Sequence, residues 1–229
     1  MSLSSLREKK NTTKLLFLFL VGLLSLTFLV FNAQQVSAAS VQPTSSSTSN
    51  WTTTTIQLNW TKGAGGDEMF FALASSTDNI TFTFATTTIP STTLSYTFTG
   101  LATNTRYYFL VAAVSSTNQA TSTAATSTET YTLADIPGIA TIATTTITSL
   151  SITINSIGNP VVSTTYAIYN TTSLNYLAAD GSATASPVWQ NTSTWGSSFA
   201  ATGLATNTAY QFAVIARNGA NTTTVTSTQ

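Results

Sequence analysis

The sequence predicts an all-β protein built from two copies of one sandwich domain, and two observations carry this prediction. The first is a duplication: LATNTRYYFLVAAV, which begins at Leu101, recurs as LATNTAYQFAVIAR, which begins at Leu204. In each copy a tyrosine six residues after the leucine starts a run of alternating apolar residues, which is typical of a turn that leads into a half-buried strand. The second is composition: only 6% of residues are charged, and threonine, a β-branched residue suited to the outer face of strands, is abundant instead.

The composition also excludes several classes of function. The 229 residues include no cysteine and no histidine, and the net charge is zero. Disulfides, zinc-thiolate sites and the commonest general base are therefore absent, and no basic patch is available for nucleic acid. We predict no catalytic residue, no metal site, no cofactor and no nucleic-acid partner. An exported chain of cysteine-free domains, each about 90 residues long, points to a bacterial surface protein.

Residues 1–38 have the three parts of a secretory signal peptide. Four basic residues between Arg7 and Lys14 precede an apolar run over residues 15–31, and small residues follow, with cleavage predicted after Ala38. The alternative is an uncleaved transmembrane anchor, because the apolar run has about the minimum length of a spanning helix. In both cases the rest of the chain is exported, so we expect it to be secreted or held at the cell surface, with membrane contact only through this segment.

The first repeat is expected over residues 41–134, and the Ser/Thr-rich residues 40–50 are interpreted as a spacer before its first predicted strand. An Asp78-Asn79 turn separates the second and third predicted strands, and residues 101–107 make a corner. The predicted strands are Ile56-x-Leu58-x-Trp60, residues 70–74, residues 81–85, Tyr96-x-Phe98, residues 107–114 and the closing residues 130–133.

The second repeat is expected over residues 135–229, and the Pro-containing residues 134–138 are interpreted as the linker between the two repeats. It replays the order with Ile152-x-Ile154, Tyr166-x-Ile168, an Asp180-Gly181 hairpin turn, Phe199 and a second corner.

Matching Ile56 with Ile152 and Leu101 with Leu204 leaves about seven extra residues in the second repeat. The match of Asp78 with Asp180 places most of them between Ile168 and Asp180, which we interpret as a longer hairpin. Residues 226–229 match residues 126–129, so a second closing strand is missing. Either the unit ends imperfectly or the chain is the front of a longer array.

These patterns, from about residue 41 to residue 229, resemble the fibronectin type III family. The resemblance implies two tandem seven-stranded immunoglobulin-like β-sandwiches. It identifies Leu101 with Tyr107, and Leu204 with Tyr210, as the family's structural tyrosine corners, and Trp60 as its core tryptophan. Ser156 is expected at the position in the second repeat that corresponds to Trp60.

Two tryptophans have no counterpart in the first repeat. Trp189 and Trp195 are candidate glycan contacts, with Gln190 and Asn191 placed to orient a sugar hydroxyl. The alternative is that one of them refills the core space left at Ser156.

The acidic residues suggest one further candidate site. Asp67 and Glu68 with Asp78 are candidate calcium ligands, or else they mark solvated turns.

We therefore predict a non-catalytic extracellular spacer and interaction module. The alternative is an accessory, carbohydrate-binding region of a longer extracellular polysaccharide-degrading enzyme. A third possibility is direct adhesion through the longer hairpin and the two tryptophans of the second repeat. The expected partner is an extracellular polysaccharide or a surface protein, and residues 168–195, where the repeats diverge, are the region in which to seek it.

Overall fold

The computed structural model describes residues 41–64, 68–115 and 121–227, which form two successive antiparallel β-sandwiches. The predicted all-β fold is confirmed, since the one helix in these ranges is a single turn, α1 at Thr192–Trp195. The predicted signal or anchor at residues 1–38 lies outside the described residues. Within them, no helix has both the length and the apolar character needed to cross a membrane.

The first sandwich contains eight strand segments in two sheets. One sheet has the order β1-β2-β5, and the other has the order β4-β3-β6, with β7 and β8 both paired to β6. The segments are β1 at Ser45–Ser49, β2 at Ile56–Thr61, β3 at Glu68–Ser76, β4 at Thr83–Pro90, β5 at Ser95–Phe98, β6 at Arg106–Ser115, β7 at Ala125–Thr126 and β8 at Thr130–Tyr131.

The second sandwich repeats this plan with the sheets β14-β10-β9 and β13-β12-β11-β15. Its strands are β9 at Gly138–Thr146, β10 at Ser149–Asn155, β11 at Thr165–Asn170, β12 at Asn175–Leu177, β13 at Ala183–Thr184, β14 at Phe199–Ala201 and β15 at Phe212–Arg217.

The first strand of each sandwich was not predicted. The segment interpreted as a Ser/Thr-rich spacer contains β1, which pairs with β2 from Ser45 opposite Thr61 to Ser49 opposite Gln57. This strand carries no large apolar residue, so it shows no alternation of apolar and polar residues. Its hydroxyls bond its neighbour instead, for example Ser45 Oγ to Thr61 Oγ1 at 2.9 Å.

The predicted match between Ile56 and Ile152 is wrong by two residues. Ile56 pairs with Phe98, and Leu150 pairs with Ala201. Each of these partners lies three residues before the leucine of its corner, so Leu150 is the structural equivalent of Ile56.

The same register corrects the prediction for the core tryptophan. Trp60 is buried and packs edge-on against Phe71, with ring centroids 5.4 Å apart. Its equivalent in β10 is Ile154, a half-buried residue packed against the second core, whereas Ser156 follows the end of the strand. The second sandwich therefore replaces the indole by an isoleucine, which is a smaller loss of volume than a serine would cause.

The extension of the second repeat also lies elsewhere than predicted. Asp78 is in the turn between β3 and β4, whereas Asp180 is at the tip of the hairpin between β12 and β13. The turn after β11 comes earlier, at Asn170, whose side chain accepts the N–H groups of Thr172 and Ser173. Asp78 and Asp180 are therefore not equivalent, and the extra residues form a second hairpin turn.

Hydroxyl groups hold the C-terminal part of each sandwich, residues 121–132 and residues 223–227, in an irregular ladder of hydrogen bonds. We call these two stretches the closing segments. At five positions a Ser or Thr donates its N–H to a carbonyl of the neighbouring strand or corner, and its hydroxyl accepts the N–H of that same residue. In a regular antiparallel pair, that N–H would bond the backbone carbonyl. The pairs are Ser122 with Ala113, Ser127 with Phe109, Thr132 with Thr105, Thr224 with Ala216 and Ser227 with Val214.

This ladder shows where the second closing segment runs. Ser227 lies opposite Val214, whereas in the first sandwich the equivalent residue, Val111, lies opposite Ala125. The sequence match of Ser227 with Ser127 is therefore displaced by two residues. The segment bonded to β15 as far as Ser227 corresponds to residues 121–125 and forms no regular strand. The counterpart of the strand at residues 130–133 would lie beyond Ser227, so its predicted absence stays a prediction.

Candidate functional site

The two predicted tyrosine corners have the same internal geometry. The Tyr107 hydroxyl accepts the N–H of Ala102 at 2.9 Å, and the Tyr210 hydroxyl accepts the N–H of Ala205 at 2.9 Å. Leu101 and Leu204 are each half-buried against the core of their own sandwich. These contacts stabilise the corners, which we define as residues 101–105 and residues 204–208.

The first corner contacts the second sandwich through Asn104. This residue has left-handed backbone, with φ of 42°, and is fully buried. Its Nδ2 donates to Thr164 Oγ1 at 2.7 Å, and its Oδ1 accepts the N–H of Gly219 at 3.0 Å. Its backbone carbonyl accepts a hydrogen bond from Ser163 Oγ at 3.0 Å. One asparagine of the first sandwich therefore bonds three residues of the second.

Two buried asparagines of the second sandwich complete this junction. The Asn159 side chain bonds both backbone groups of Asp135 in the linker, accepting its N–H and donating to its carbonyl, each at 2.9 Å. Asn218 Nδ2 donates to the carbonyl of Thr132 at 3.1 Å. Buried amides need such partners, because an unsatisfied polar group in the interior is costly.

A glycine allows close packing at the same junction. A Cβ atom placed on Gly219 would overlap the ring of Tyr131 in β8, so no larger residue fits here without movement. We call Ser163, Thr164, Asn218 and Gly219 the facing edge of the second sandwich. Together with the first corner and the linker, the facing edge forms a hydrogen-bonded domain junction.

Sequence reasoning did not identify the junction. Its asparagines are far apart in the chain, and each lies beside glycine, proline or threonine, where a turn alone explains an asparagine. The duplicated LATNT motif carried a signal, since Asn104 and Asn207 occupy the same place in both corners. The motif could not show that Asn104 is buried, because the burial depends on a different domain.

Trp195 does not offer a surface to a glycan. It is 2% exposed, its Nε1 donates to the carbonyl of Tyr166 at 2.9 Å, and its ring packs edge-on against Phe199 at 4.4 Å. Tyr166 is the equivalent of Phe71, the residue that packs against Trp60 in the first sandwich. The prediction of a glycan contact is therefore wrong for Trp195, and the alternative of core packing describes its position.

Trp189 is half-buried, and a cation lies over its ring. The guanidinium carbon of Arg217 is 4.6 Å from the ring centroid, and Arg217 Nε also donates to Thr165 Oγ1 at 3.2 Å. This contact occupies one face of the indole.

Of the two polar neighbours expected to orient a sugar, Asn191 has its side-chain oxygen bonded elsewhere, whereas the bonds of Gln190 are made by its backbone. Asn191 caps α1 by accepting the N–H of Thr194 at 2.9 Å, and the backbone of Gln190 pairs with Tyr166.

The acidic residues considered as calcium ligands do not meet. Glu68 begins β3 and Asp78 follows its end, which places them about 25 Å apart along an extended strand of this length. Asp67 lies outside the described residues. Among residues 41–64, 68–115 and 121–227, no three His, Cys, Asp or Glu side chains are grouped closely enough to hold a metal ion.

Two titratable groups have shifted pKa values with structural causes. The N–H groups of Thr81 and Ile80 and the hydroxyl of Ser76 stabilise the Asp78 carboxylate and lower its pKa to about 2. Burial raises the pKa of the Tyr166 hydroxyl, and the neighbouring polar side chains oppose this effect only in part. The Asp78 hydrogen bonds lie in an exposed turn, and the Tyr166 hydroxyl lies in the core, so neither shift indicates a catalytic site.

Comparison with known proteins identifies the fold. Residues 40–129 match the family model of the fibronectin type III domain. The two-domain fibronectin type III segment of chicken tenascin is 18% identical, with 77% of this chain and 91% of that chain covered and a TM-score of 0.53. The chicken CNTN1 FN1–FN3 domains are 15% identical, with 82% of this chain and 66% of that chain covered and a TM-score of 0.40.

No curated protein matches the sequence significantly. The family match, the two successive sandwiches and the likeness to the tenascin segment agree on one assignment. Residues 40–129 are similar to the fibronectin type III family, and the chain has the fold of two tandem fibronectin type III domains.

Proposed function

We propose that this chain is a non-catalytic extracellular spacer that holds its two sandwiches in a fixed relative orientation. Domains of this family are usually non-catalytic modules of extracellular proteins, which supports the general class. The observation that carries the specific proposal is the burial of Asn104 between the sandwiches, with hydrogen bonds to Thr164, Gly219 and Ser163. The role requires no catalytic group, because the function lies in the geometry.

The linker and the junction act together in this proposal. Residues 134–138 are short, so the two sandwiches stay at high effective concentration, and each weak contact between them becomes intramolecular. Asn159 binds the linker backbone at Asp135 and thereby limits the directions in which the chain can leave the first sandwich. Each hydrogen bond contributes about 0.5–1.5 kcal/mol net, so several bonds are enough to favour one orientation.

The orientation can be tested with pairs of spin labels. Because the chain has no cysteine, Thr87→Cys in β4 and Thr141→Cys in β9 give two exposed and unique labelling sites. Pulsed dipolar spectroscopy on the parent should give one narrow distance distribution. Asn104→Gly keeps the left-handed backbone accessible but removes the amide, and it should broaden that distribution.

A matched control shows whether the effect is specific to the junction or follows from replacing any left-handed turn asparagine by glycine. Asn79 also has left-handed backbone, with φ of 60°, but it lies in the exposed turn between β3 and β4. Asn79→Gly should leave the distance distribution unchanged. A broad distribution in the parent, or a narrow one that persists in Asn104→Gly, would contradict the proposal.

The second candidate function is a carbohydrate-binding accessory region of a longer polysaccharide-degrading enzyme, and it now depends on Trp189. This indole is half-buried beside Arg217, so a sugar could contact only the part of the ring that remains accessible. Retention on an immobilised polysaccharide series, compared between the parent and Trp189→Ala, tests it. Equal elution of both proteins on every polysaccharide would remove this candidate.

A further inference from the structure

The second corner repeats the docking geometry of the first but is exposed. Asn207 has left-handed backbone, with φ of 51°, compared with 42° for Asn104, and its corner has the same tyrosine bond. Thr208 Oγ1 donates to the carbonyl of Thr206 at 3.1 Å, as Thr105 Oγ1 does to Thr103 at 3.0 Å. The two corners therefore differ in what covers them and not in their internal structure.

The polar groups of the second corner are unoccupied within the described part of the chain. There, the Asn207 side chain has no hydrogen-bond partner, whereas the Asn104 side chain has two. The N–H groups of Asn104 and Thr105 are bonded to Leu133 and Thr132, which lead into the linker. Residues 121–227 provide no equivalent partner for the N–H groups of Asn207 and Thr208.

An apolar surface adjoins these polar groups. A groove of about 480 Å³ borders the second corner, and its lining includes Ile147, Leu150, Leu204 and Tyr210. Ile147 is 81% exposed beside this groove, so an apolar side chain is available for contact next to the polar groups of the corner.

We propose that the second corner is a docking surface for a further fibronectin type III-like domain that resembles the second sandwich of this chain. The occupant would bring a linker that bonds Asn207 and Thr208, as Leu133 and Thr132 bond the first corner. It would also present a facing edge with a glycine N–H for Asn207 Oδ1 and a hydroxyl for Asn207 Nδ2. This inference rests on the proposed spacer function and names the partner that extends it.

The facing edge decides which kind of domain fits. In the second sandwich, Thr164 and Asn218 provide polar side chains at this edge. By strand register, the first sandwich has Met69 and Ser115 at the equivalent positions. Its edge therefore lacks the threonine hydroxyl and the asparagine amide, and a domain like the first sandwich is a poorer partner.

A three-domain chain tests the proposal while keeping the native protein intact. Residues 128–229 are repeated after residue 229, because Ser227 and Ala125 occupy equivalent places and this fusion continues the closing segment in register. Spin labels are placed at Ala183→Cys in the second sandwich and at Thr141→Cys in the third, both of which are exposed positions. We expect one narrow distance distribution, and we expect it to be lost in Asn207→Gly.

Two further variants keep the test interpretable. Thr164→Val in the third sandwich alone removes the expected hydroxyl partner of Asn207 from the opposite side, and it should broaden the same distribution. Thermal unfolding of Asn207→Gly in the two-domain chain checks that the corner still folds, since glycine tolerates the left-handed backbone.

The outcomes separate this inference from the proposed function. A broad distribution in the three-domain parent, or one that stays narrow in Asn207→Gly, overturns the docking surface. Asn104→Gly in the same chain, with labels across the first junction, reports independently on the spacer. If Asn104→Gly broadens the first junction while Asn207→Gly leaves the second unaffected, the spacer stands and the docking surface does not.

Discussion

Apart from glycine, asparagine is the residue that most often has a positive φ in the described chain. Five of the seven non-glycine residues with positive φ there are asparagines, whose short side chains make this conformation less costly than for other residues. The backbone alone thus explains why asparagine stands in both corners. It does not explain the burial of Asn104, which depends on the partner sandwich and therefore could not be predicted from the motif.

Asp78 provides a prediction for pH dependence. Its pKa is lowered from 3.8 to about 2 by hydrogen bonds from Thr81, Ile80 and Ser76. The stabilisation from the ionised carboxylate is therefore fully present above pH 3.8 and is lost as the pH falls through about 2. We expect the carboxyl carbon of Asp78 to titrate with a midpoint near 2 in an NMR pH series, and Ser76→Ala to raise that midpoint. A midpoint at the ordinary value would contradict these bonds.

The two tryptophans of the second sandwich should respond differently to truncation. Trp195→Ala removes a buried indole and its bond to the Tyr166 carbonyl, and we expect it to lower the free energy of unfolding by about 3–5 kcal/mol. Trp189→Ala removes a half-buried ring whose contact with Arg217 is worth about 0.5–1 kcal/mol. Denaturant unfolding of both variants measures the difference. Equal losses would show that Trp195 is not a core residue.

At the scale of elements, strands with alternating large apolar residues were predictable and strands made of small polar residues were not. β2 and β6 were predicted from their apolar alternation, whereas β1 consists only of serine and threonine. β9 was missed because its apolar residues are few and most of the strand is exposed. The register of β10 was also wrong, because short alternating patterns match equally well after a shift of two residues.

The hydroxyl ladder of the closing segment leads to a prediction about Ser127. Its Oγ accepts the N–H of the fully buried Phe109 at 3.1 Å, so Ser127→Ala leaves that N–H without its partner. We expect a loss of about 1–3 kcal/mol in the free energy of unfolding. Ser173→Ala, in the exposed turn after β11, is the control and should change stability by less than about 0.5 kcal/mol. Similar effects of both substitutions would show that the ladder bond does not stabilise the fold.

At the scale of the whole molecule, the duplication predicted two units of one fold but not the contact between them. The second sandwich contributes Asn159 from one turn and the adjacent Asn218 and Gly219 from another, and the two turns show no shared pattern. Periodicity identifies residues that pack within a domain, because those residues recur along a strand. A junction built from single turn residues has no period, so its position follows only from the arrangement of the two sandwiches.

The close approach of Tyr131 and Gly219 gives a prediction that tests this junction as a unit. Gly219→Ala places a methyl group against the Tyr131 ring, and we expect it to lower the free energy of unfolding by about 1–3 kcal/mol through overpacking. The backbone of Gly219 is not left-handed, so the substitution adds no strain from φ. In a Tyr131→Ala background the methyl group has space, and the same substitution should cost much less.

A double-mutant cycle measured by denaturant unfolding gives this difference as a coupling energy between the two sandwiches. Spin labels at Thr87→Cys and Thr141→Cys give a second readout, since Gly219→Ala should shift the distance distribution and Tyr131→Ala should restore its position. Equal costs of Gly219→Ala in both backgrounds would mean that the two residues do not meet. The orientation of the two domains would then depend on the linker and on the hydrogen bonds of Asn104 and Asn218.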